Sequence, residues 1–212
     1  MTEVDPRNRM SRLGILGGTF DPPHIGHLIL ADQCRQALRL DSLLILPAGM
    51  PPHKNPDHIT PFQHRAAMAR LAFPESEGYA IEPLEGERKG PSYTVETLRA
   101  LYARGGGRCS FWLLMGSDSM AELETWKEPE AIVSFCRLGV YGRPLYHIDG
   151  LKKQWLAHVD SVEGPLVDIS STQIRQMVRA GKSLNFLVPE RVRKYILTHG
   201  LYAGKSPAGA NG

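Results

Sequence analysis

Cysteine is scarce in this sequence, and the three cysteines lie far apart. Cys34, Cys109 and Cys136 are odd in number and form no CxxC pair, which excludes a small disulfide-stapled scaffold. We therefore expect reduced thiols and a cytoplasmic protein. The 21 glycines and 16 prolines among 212 residues also fall short of the share, about 25–30%, that is typical of low-complexity chains.

Long hydrophobic runs and tracts of one charge are missing as well. No apolar stretch approaches the roughly 18 residues of a membrane span, and the polar residues 1–12 lack the apolar core of a secretory signal. We expect no membrane partner. Lys and Arg (25) barely outnumber Asp and Glu (22), and no run of five basic residues occurs, so no nucleic-acid partner is expected either. A small basic excess still suits an anionic small molecule.

Short apolar segments alternate with helical patterns along the chain. This alternation predicts an α/β fold: a Rossmann-like, doubly wound, mostly parallel sheet with helices on both faces and helices at the C-terminal end. We expect one domain over residues 13–202, a flexible segment at 1–12 and a disordered tail at 203–212. The predicted strands are Leu13–Leu16, Ser42–Leu46, Tyr79–Pro83, Phe111–Met115, Leu138–Tyr141 and Leu166–Asp168. The main predicted helices are Gly26–Leu38, Pro61–Phe73, Thr94–Tyr102, Leu151–His158, Ser171–Ala180 and Pro189–Thr198.

The segment GGTFDPPHIGH follows the first predicted strand and begins the first helix. Gly17 and Gly18 allow the backbone to approach a ligand closely, and a helix N-terminus favours anions. His24 and His27 are three residues apart and can point to one side of the first turn. Either histidine alone is more readily a packing or loop residue, but the pair in this turn favours a phosphate site. A zinc site is disfavoured because no third ligand stands at helical spacing, so no metal is expected on protein ligands.

The segment ISSTQIR precedes another helix. One of its three hydroxyls is the helix N-cap whatever the function. That role leaves two hydroxyls and Arg175, one turn into the helix, without an explanation. Together with free N–H groups they indicate a second anion site.

Both segments, HxGH at His24–His27 and ISSTxIR at Ile169–Arg175, resemble motifs of the nucleotidyltransferase superfamily that adenylates or cytidylates small phosphorylated compounds. More narrowly, the chain resembles the bacterial nicotinate-mononucleotide adenylyltransferases over roughly 13–202. The narrower resemblance rests on PPHK, SYTVETL, GSDS, ETWK, GRP and the final VPERVRKYILTHGLY. SYTVETL and ETWK are the segments that point to a pyridine nucleotide.

The resemblance implies a reaction that joins ATP and nicotinate mononucleotide into deamido-NAD and releases pyrophosphate, as a step of NAD biosynthesis. The acceptor is an already ionised phosphate, so alignment and charge neutralisation suffice and no general base is needed. Mg²⁺ is expected to arrive with ATP. The sequence is compatible with a homo-oligomer but does not reveal the oligomeric state.

The resemblance also implies roles for individual residues. The catalytic residues would be His24, His27 and Arg175. The ATP-binding residues would be Gly17, Gly18, Thr19, Phe20, His24, His27, Gly116, Asp118, Ile169, Ser171, Thr172 and Arg175. The residues that bind nicotinate mononucleotide would be Gly18, Thr19, Lys54, Thr94, Trp126, Lys127 and Arg143.

Three alternatives remain open at this point. Phosphopantetheine adenylyltransferases share the first and last motifs, although those chains are usually shorter and lack a segment like ETWK. Nicotinamide mononucleotide is a second candidate acceptor. From a different class, the chain could be a nucleotide-sensing protein without turnover, although a sensor need not keep the leaving-group residues. Release of pyrophosphate with each candidate acceptor would distinguish them.

Overall fold

A computed structural model describes residues 10–52, 54–105, 109–142 and 153–203. Six parallel strands form one sheet in the order β3-β2-β1-β4-β5-β6. This confirms the predicted α/β fold with a doubly wound parallel sheet. The strands are β1 (Ser11–Gly18), β2 (Ser42–Pro47), β3 (Tyr79–Ile81), β4 (Cys109–Gly116), β5 (Cys136–Tyr141) and β6 (Val159–Val162).

Helices connect the strands and follow the last one. They are α1 (Ile25–Ala37), α2 (Phe62–Ala72), α3 (Leu84–Glu87), α4 (Thr94–Gly105), α5 (Ser117–Ala121), α6 (Pro129–Phe135), α7 (Lys153–Leu156), α8 (Ser171–Arg179) and α9 (Glu190–Thr198). Short 3₁₀ turns lie at Pro56–His58, Glu75–Glu77 and Leu123–Thr125. None of the described helices is long and apolar enough to cross a membrane.

The two faces of the sheet carry separate cores. Neighbouring residues of β1 alternate between them: Leu16 packs with α1, α2, α8 and α9, whereas Ile15 packs with α4 and α6. In the same way, Leu114 and Leu113 of β4 point to opposite faces. The chain crosses from β1 to β2 on one face and reaches β4 through α4 on the other. This reversal places β1 beside β4 and leaves a crevice at their carboxyl ends.

One predicted strand is wrong. Leu166–Asp168 has no regular secondary structure. The last strand of the described chain is instead β6, which begins directly after the predicted helix Leu151–His158. Leu166 is 48% exposed and Val167 is 43% exposed, so these apolar side chains do not fill the core. The strand β6 was hidden because Asp160 and Ser161 interrupt its apolar pattern. The predicted helix over 151–158 shrinks to α7, and residues 151–152 lie outside the described part of the chain, as do most of the two predicted terminal segments.

The loop after β2 packs tightly against the segment that precedes α4. The backbone N–H of Gly49 donates to Ser92 Oγ (3.0 Å), and the N–H of Ser92 donates to the carbonyl of Met50 (2.8 Å). A Cβ atom at Gly49 would overlap the carbonyl oxygen of Glu85. Glycine is therefore required where these two backbone segments meet.

We expect Gly49→Ala to lower the free energy of unfolding by about 1–3 kcal/mol, because the loop and α3 must move apart to admit the methyl group. The matched control is Gly105→Ala, whose Cβ would meet, among the described residues, only Phe111 Cζ at 3.7 Å, and which should cause no loss. Urea denaturation of both variants and the wild type measures the difference. Equal midpoints for Gly49→Ala and the wild type would contradict this account of the contact.

Candidate active site

A cleft of about 920 Å³ opens at the carboxyl ends of the central strands. Its floor is formed by the ends of β1 and β4, and its walls come from the segments that follow the strands. Most of the residues singled out from the sequence line it: Gly17, Gly18, Thr19, Phe20, His24, His27, Lys54, Thr94, Gly116, Asp118, Trp126, Ile169, Ser171 and Thr172. Lys127 and Arg175 are not part of this lining, and Arg143 lies outside the described residues.

The first motif forms the start of α1, with His24 as the N-cap residue in extended conformation. The imidazole rings of His24 and His27 lie with their centroids 3.8 Å apart. The backbone N–H of His24 donates to Nδ1 of His27 (3.2 Å). Because Nδ1 accepts this hydrogen bond, the ring proton of neutral His27 must be on Nε2. His27 therefore presents a donor, held in one tautomer by its own helix.

Both rings are neutral at pH 7. Burial lowers the pKa of His24 to about 4. Burial, together with smaller contributions from His24 and Lys54, lowers the pKa of His27 to about 3. Nδ1 of His24 is buried and has no hydrogen-bond partner within the described ranges. The unliganded histidine pair therefore supplies neutral donors and acceptors rather than positive charge.

The second motif joins the first through backbone contacts. Ser171 Oγ donates to the carbonyl of Pro22 (2.8 Å), and the guanidinium of Arg175 donates to the carbonyl of Asp21 (2.8 Å) and to Thr172 Oγ1 (3.1 Å). The N-cap residue of α8 is Ser170, whose Oγ accepts from the N–H of Gln173 (3.2 Å). The starts of α1 and α8 thus face the same cleft. At the start of α1 the N–H of Ile25 donates to Leu187 (2.9 Å) and that of His27 donates to His24 (2.9 Å), and at the start of α8 the N–H of Gln173 is bound to Ser170. Within the described residues, the N–H groups left to an anion are therefore those of Gly26, Ser171 and Thr172.

Lys54 reaches the cleft from the proline-rich loop. Its ammonium group donates to Thr19 Oγ1 (2.9 Å), so the loop rests on the segment after β1. Partial burial and the positive charge of Arg175 lower the pKa of Lys54. A neutral hydroxyl thus holds the ammonium group close to the first motif. A bound anion can replace this hydroxyl as the hydrogen-bond partner of the ammonium group.

The opposite wall of the cleft contains Thr94, Trp126 and Asp118. Thr94 is the first residue of α4, and Trp126 both packs against the core under α4 and lines the cleft. Gly116, not Asp118, is the N-cap residue of α5, which leaves the Asp118 carboxylate exposed. The ammonium group of Lys127 binds Glu96 (2.6 Å) and lies 4.4 Å from the centroid of Tyr93. The side chain of Lys127 is therefore engaged away from the cleft.

Two buried residues beneath the cleft, Asp21 and Arg65, were missed at the sequence level. Asp21 is 2% exposed and accepts hydrogen bonds from the Tyr202 hydroxyl (2.7 Å) and from the N–H of Thr60 (3.2 Å). Arg65 is 1% exposed and donates to several loop carbonyls. The one sequence signal for Arg65 was that this charged residue lies on the apolar face of α2, beside Met68 and Ala69.

No group of three or more His, Cys, Asp or Glu side chains converges to hold a metal ion in the described part of the chain. The cysteines Cys34, Cys109 and Cys136 are unpaired thiols. Burial raises the pKa of Cys34 and of Cys136 to about 12 each, so these two are protonated and inert at neutral pH. The chemistry of the cleft thus depends on hydrogen-bond donors, cations and helix N-termini.

Comparison with known proteins supplies the family. A family model described as cytidylyltransferase-like matches residues 15–177. A protein of Roseiflexus sp. (strain RS-1), named a probable nicotinate-nucleotide adenylyltransferase, is 43% identical over 195 residues, which cover 90% of this chain and 97% of that protein. A protein of the same name from Thermomicrobium roseum is 42% identical over 200 residues, which cover 91% of this chain and 92% of the relative.

A solved structure shares the fold. The nicotinic acid mononucleotide adenylyltransferase of Plasmodium falciparum, complexed with NaAD, matches with a TM-score of 0.74 at 18% identity. The match covers 91% of this chain and 97% of that one. Together with the family model and the relatives above 40% identity, these findings show that the chain belongs to the cytidylyltransferase-like family and, within it, to the nicotinate-nucleotide adenylyltransferases.

Proposed function

We propose that this protein transfers the adenylyl group of ATP to nicotinate mononucleotide, giving deamido-NAD and pyrophosphate for NAD biosynthesis. The observation that carries the proposal is the meeting of two helix N-termini, α1 with its histidine pair and α8 with its hydroxyls and Arg175, at one cleft. Relatives above 40% identity carry the name of this activity. The cleft, about 920 Å³, has room for two nucleotides side by side.

The reaction makes one phosphorus–oxygen bond and breaks another. A phosphate oxygen of nicotinate mononucleotide attacks the α-phosphorus of ATP, and the bond to the bridging oxygen breaks with its electron pair leaving on pyrophosphate. The attacking oxygen is already ionised, so no protein base has to remove a proton. The protein has to align two polyanions and stabilise charge on the α-phosphate and the leaving group.

The first motif supplies donors for the ATP phosphates. The Nε2–H of His27 and the backbone N–H of Gly26 donate to phosphate oxygens, while Gly17 and Gly18 allow close approach. These donors are already oriented, since the hydrogen bond from His24 fixes the tautomer of His27. Preorganised donors of this kind are worth more than donors that must reorient during the reaction.

The second motif holds the departing β- and γ-phosphates. The Ser171 hydroxyl donates to the carbonyl of Pro22, so its contribution comes through the backbone N–H groups at the start of α8. Arg175 adds a positive charge on this side, whereas Lys54, held beside Thr19, adds one toward the phosphate of nicotinate mononucleotide. A divalent metal accompanies ATP in this enzyme class; we propose Mg²⁺, which is usually held by phosphates and water and adds further neutralisation of the triphosphate.

The opposite wall binds the pyridine nucleotide and the adenosine ribose. Trp126 provides a flat surface for the cationic pyridine ring. The N–H of Thr94, free at the start of α4, donates to the ring carboxylate. The exposed carboxylate of Asp118 accepts from a ribose hydroxyl. Backbone groups beside Lys127, rather than its ammonium group, complete this pocket.

The direct test mixes the protein with ATP, Mg²⁺ and one acceptor at a time, and measures pyrophosphate release together with the dinucleotide product. The acceptors are nicotinate mononucleotide, nicotinamide mononucleotide and phosphopantetheine. We expect deamido-NAD in equal amount to pyrophosphate with the first. No turnover with any of them would overturn the proposal in favour of a non-catalytic nucleotide sensor.

Replacing His27 with alanine should lower kcat/KM by about 10²–10³, because it removes one preorganised donor from the developing charge. Stability should change far less. His58→Ala, an exposed histidine in the loop that carries Lys54, is the matched control and should keep wild-type activity. Steady-state kinetics and thermal melting measure the two effects. Near-normal turnover of His27→Ala would show that the first motif does not have this role.

Arg175→Ala should weaken ATP binding by about 1.5–3 kcal/mol, the worth of a charge-assisted hydrogen bond to phosphate. Calorimetric titration with ATP measures the loss directly. Arg179→Ala, exposed one turn later on α8, removes the same charge from the surface and should have little effect. If Arg175→Ala binds ATP as the wild type does, Arg175 does not contact the nucleotide.

Nicotinate mononucleotide should be preferred over the nicotinamide form by at least about tenfold in kcat/KM. The carboxylate accepts from the N–H of Thr94 and neighbouring backbone donors, whereas the NH₂ of the amide faces a donor and loses a hydrogen bond. The comparison requires saturating ATP and Mg²⁺. Equal values, or a preference for the amide, would refute the assignment of this pocket while leaving adenylyl transfer intact.

A further inference from the structure

Among the described residues, Arg65 is the largest fully buried side chain, at 1% exposure. It lies on α2, a helix that contributes no residue to the cleft. Its neighbours on the same face, Ala66, Met68 and Ala69, are apolar and buried, as the core position predicts. Burying a cation there is costly, and an aliphatic side chain would fill the space without that cost. The position therefore calls for an explanation beyond packing.

The guanidinium is satisfied by backbone carbonyls. Its Nε donates to Thr60 (2.8 Å), one terminal nitrogen donates to Thr19 (2.9 Å) and to Ala48 (2.6 Å), and the other donates to Gly49 (2.9 Å). Of the ion pairs described in the structure, none includes Arg65, and burial lowers its pKa although the nearby carboxylate of Asp21 raises it. Four carbonyls from three separate chain segments thus accept hydrogen bonds from one planar guanidinium group.

Two of these segments line the cleft side by side. Thr19 belongs to the loop after β1, where its hydroxyl accepts from Lys54. Gly49 belongs to the loop after β2, where its N–H donates to Ser92 Oγ, two residues before Thr94. Arg65 is thus connected to Lys54 through Thr19. It is connected to the segment before α4 through Gly49.

We propose that Arg65 is a positioning residue for the acceptor nucleotide: it sets the separation of the loops after β1 and β2, and through them the places of Lys54 and Thr94, without touching substrate. This inference rests on the proposed function, since both targets belong to the acceptor side of the cleft. The ATP phosphates lie at the starts of α1 and α8, and those two helix starts are joined by Ser171 and Arg175 rather than by Arg65.

The proposal predicts a separation of two kinetic quantities. Loss of the guanidinium should raise the KM for nicotinate mononucleotide at least about tenfold, because displacing a positioned group by about 1 Å can cost about 10²-fold in rate or binding. The Kd for ATP, measured without acceptor, should stay within about twofold of the wild type. A purely structural residue would lower the melting temperature and the active fraction but would leave the KM of the surviving enzyme unchanged.

The experiment uses two substitutions and one control. Arg65→Lys keeps the charge but replaces the three-nitrogen fork with a single nitrogen, and Arg65→Met keeps bulk without donors. Arg70→Met changes an exposed arginine on the same helix and should match the wild type in KM and Kd. All assays are run well below each variant's melting temperature, with circular dichroism to verify folding.

The expected result is a raised KM for the acceptor with normal ATP affinity, larger in Arg65→Met than in Arg65→Lys. A normal KM in folded Arg65→Lys, an equal loss of ATP affinity, or failure of both substitutions to fold would each overturn the proposal and assign Arg65 to stability alone. Failure of the proposed function is seen separately, because it appears in the wild type as absent turnover with nicotinate mononucleotide. If the wild type adenylates another acceptor, the same comparison is made with that acceptor.

Discussion

The reversal of winding between β1 and β4 is the constraint on which this molecule depends. The crossover through α1 lies on one face of the sheet, and α4 returns the chain on the other, so no helix covers the carboxyl ends of these two neighbouring strands. The segments after β1, β2, β4 and β5 line the crevice that results. It also places the start of α1 where a phosphate needs donors, before any side chain is considered.

Hydrogen bonds between a charged side chain and a neutral group, rather than ion pairs, hold the parts of this crevice together. Asp21 accepts from Tyr202, in the last described turn of the chain, and its carbonyl accepts from Arg175. Arg65 donates only to carbonyls. Each buried charge is thereby satisfied by groups whose places are set by the backbone, which ties the loops to the sheet. The described ion pairs lie on partly exposed surfaces, as between Arg137 and Asp160, and contribute little to this arrangement.

Features that depend on neighbours in sequence could be predicted from the sequence. The two histidines are three residues apart at a helix start, and the hydroxyls lie at the start of α8. Local helix geometry was therefore enough to predict that each group lies at a helix N-terminus. Contacts between distant residues could not be predicted: Tyr202 meets Asp21 across 181 positions. Leu166–Asp168 was wrongly predicted as a strand because apolar residues that line a ligand cleft have the same composition as a buried strand. The ion pair between Lys127 and Glu96 could likewise not be predicted, because it depends on how α4 packs.

The neutral histidine pair limits where the cleft can carry positive charge. In the unliganded cleft the pKa values of His24 and His27 are about 4 and about 3, since both rings are buried. A bound polyphosphate favours protonated rings, but a proton on Nδ1 of His27 would break the hydrogen bond that this atom accepts from the N–H of His24. The helix start that fixes the tautomer therefore also opposes the charging of the ring, and the positive charge that the cleft offers to an anion comes from lysine and arginine.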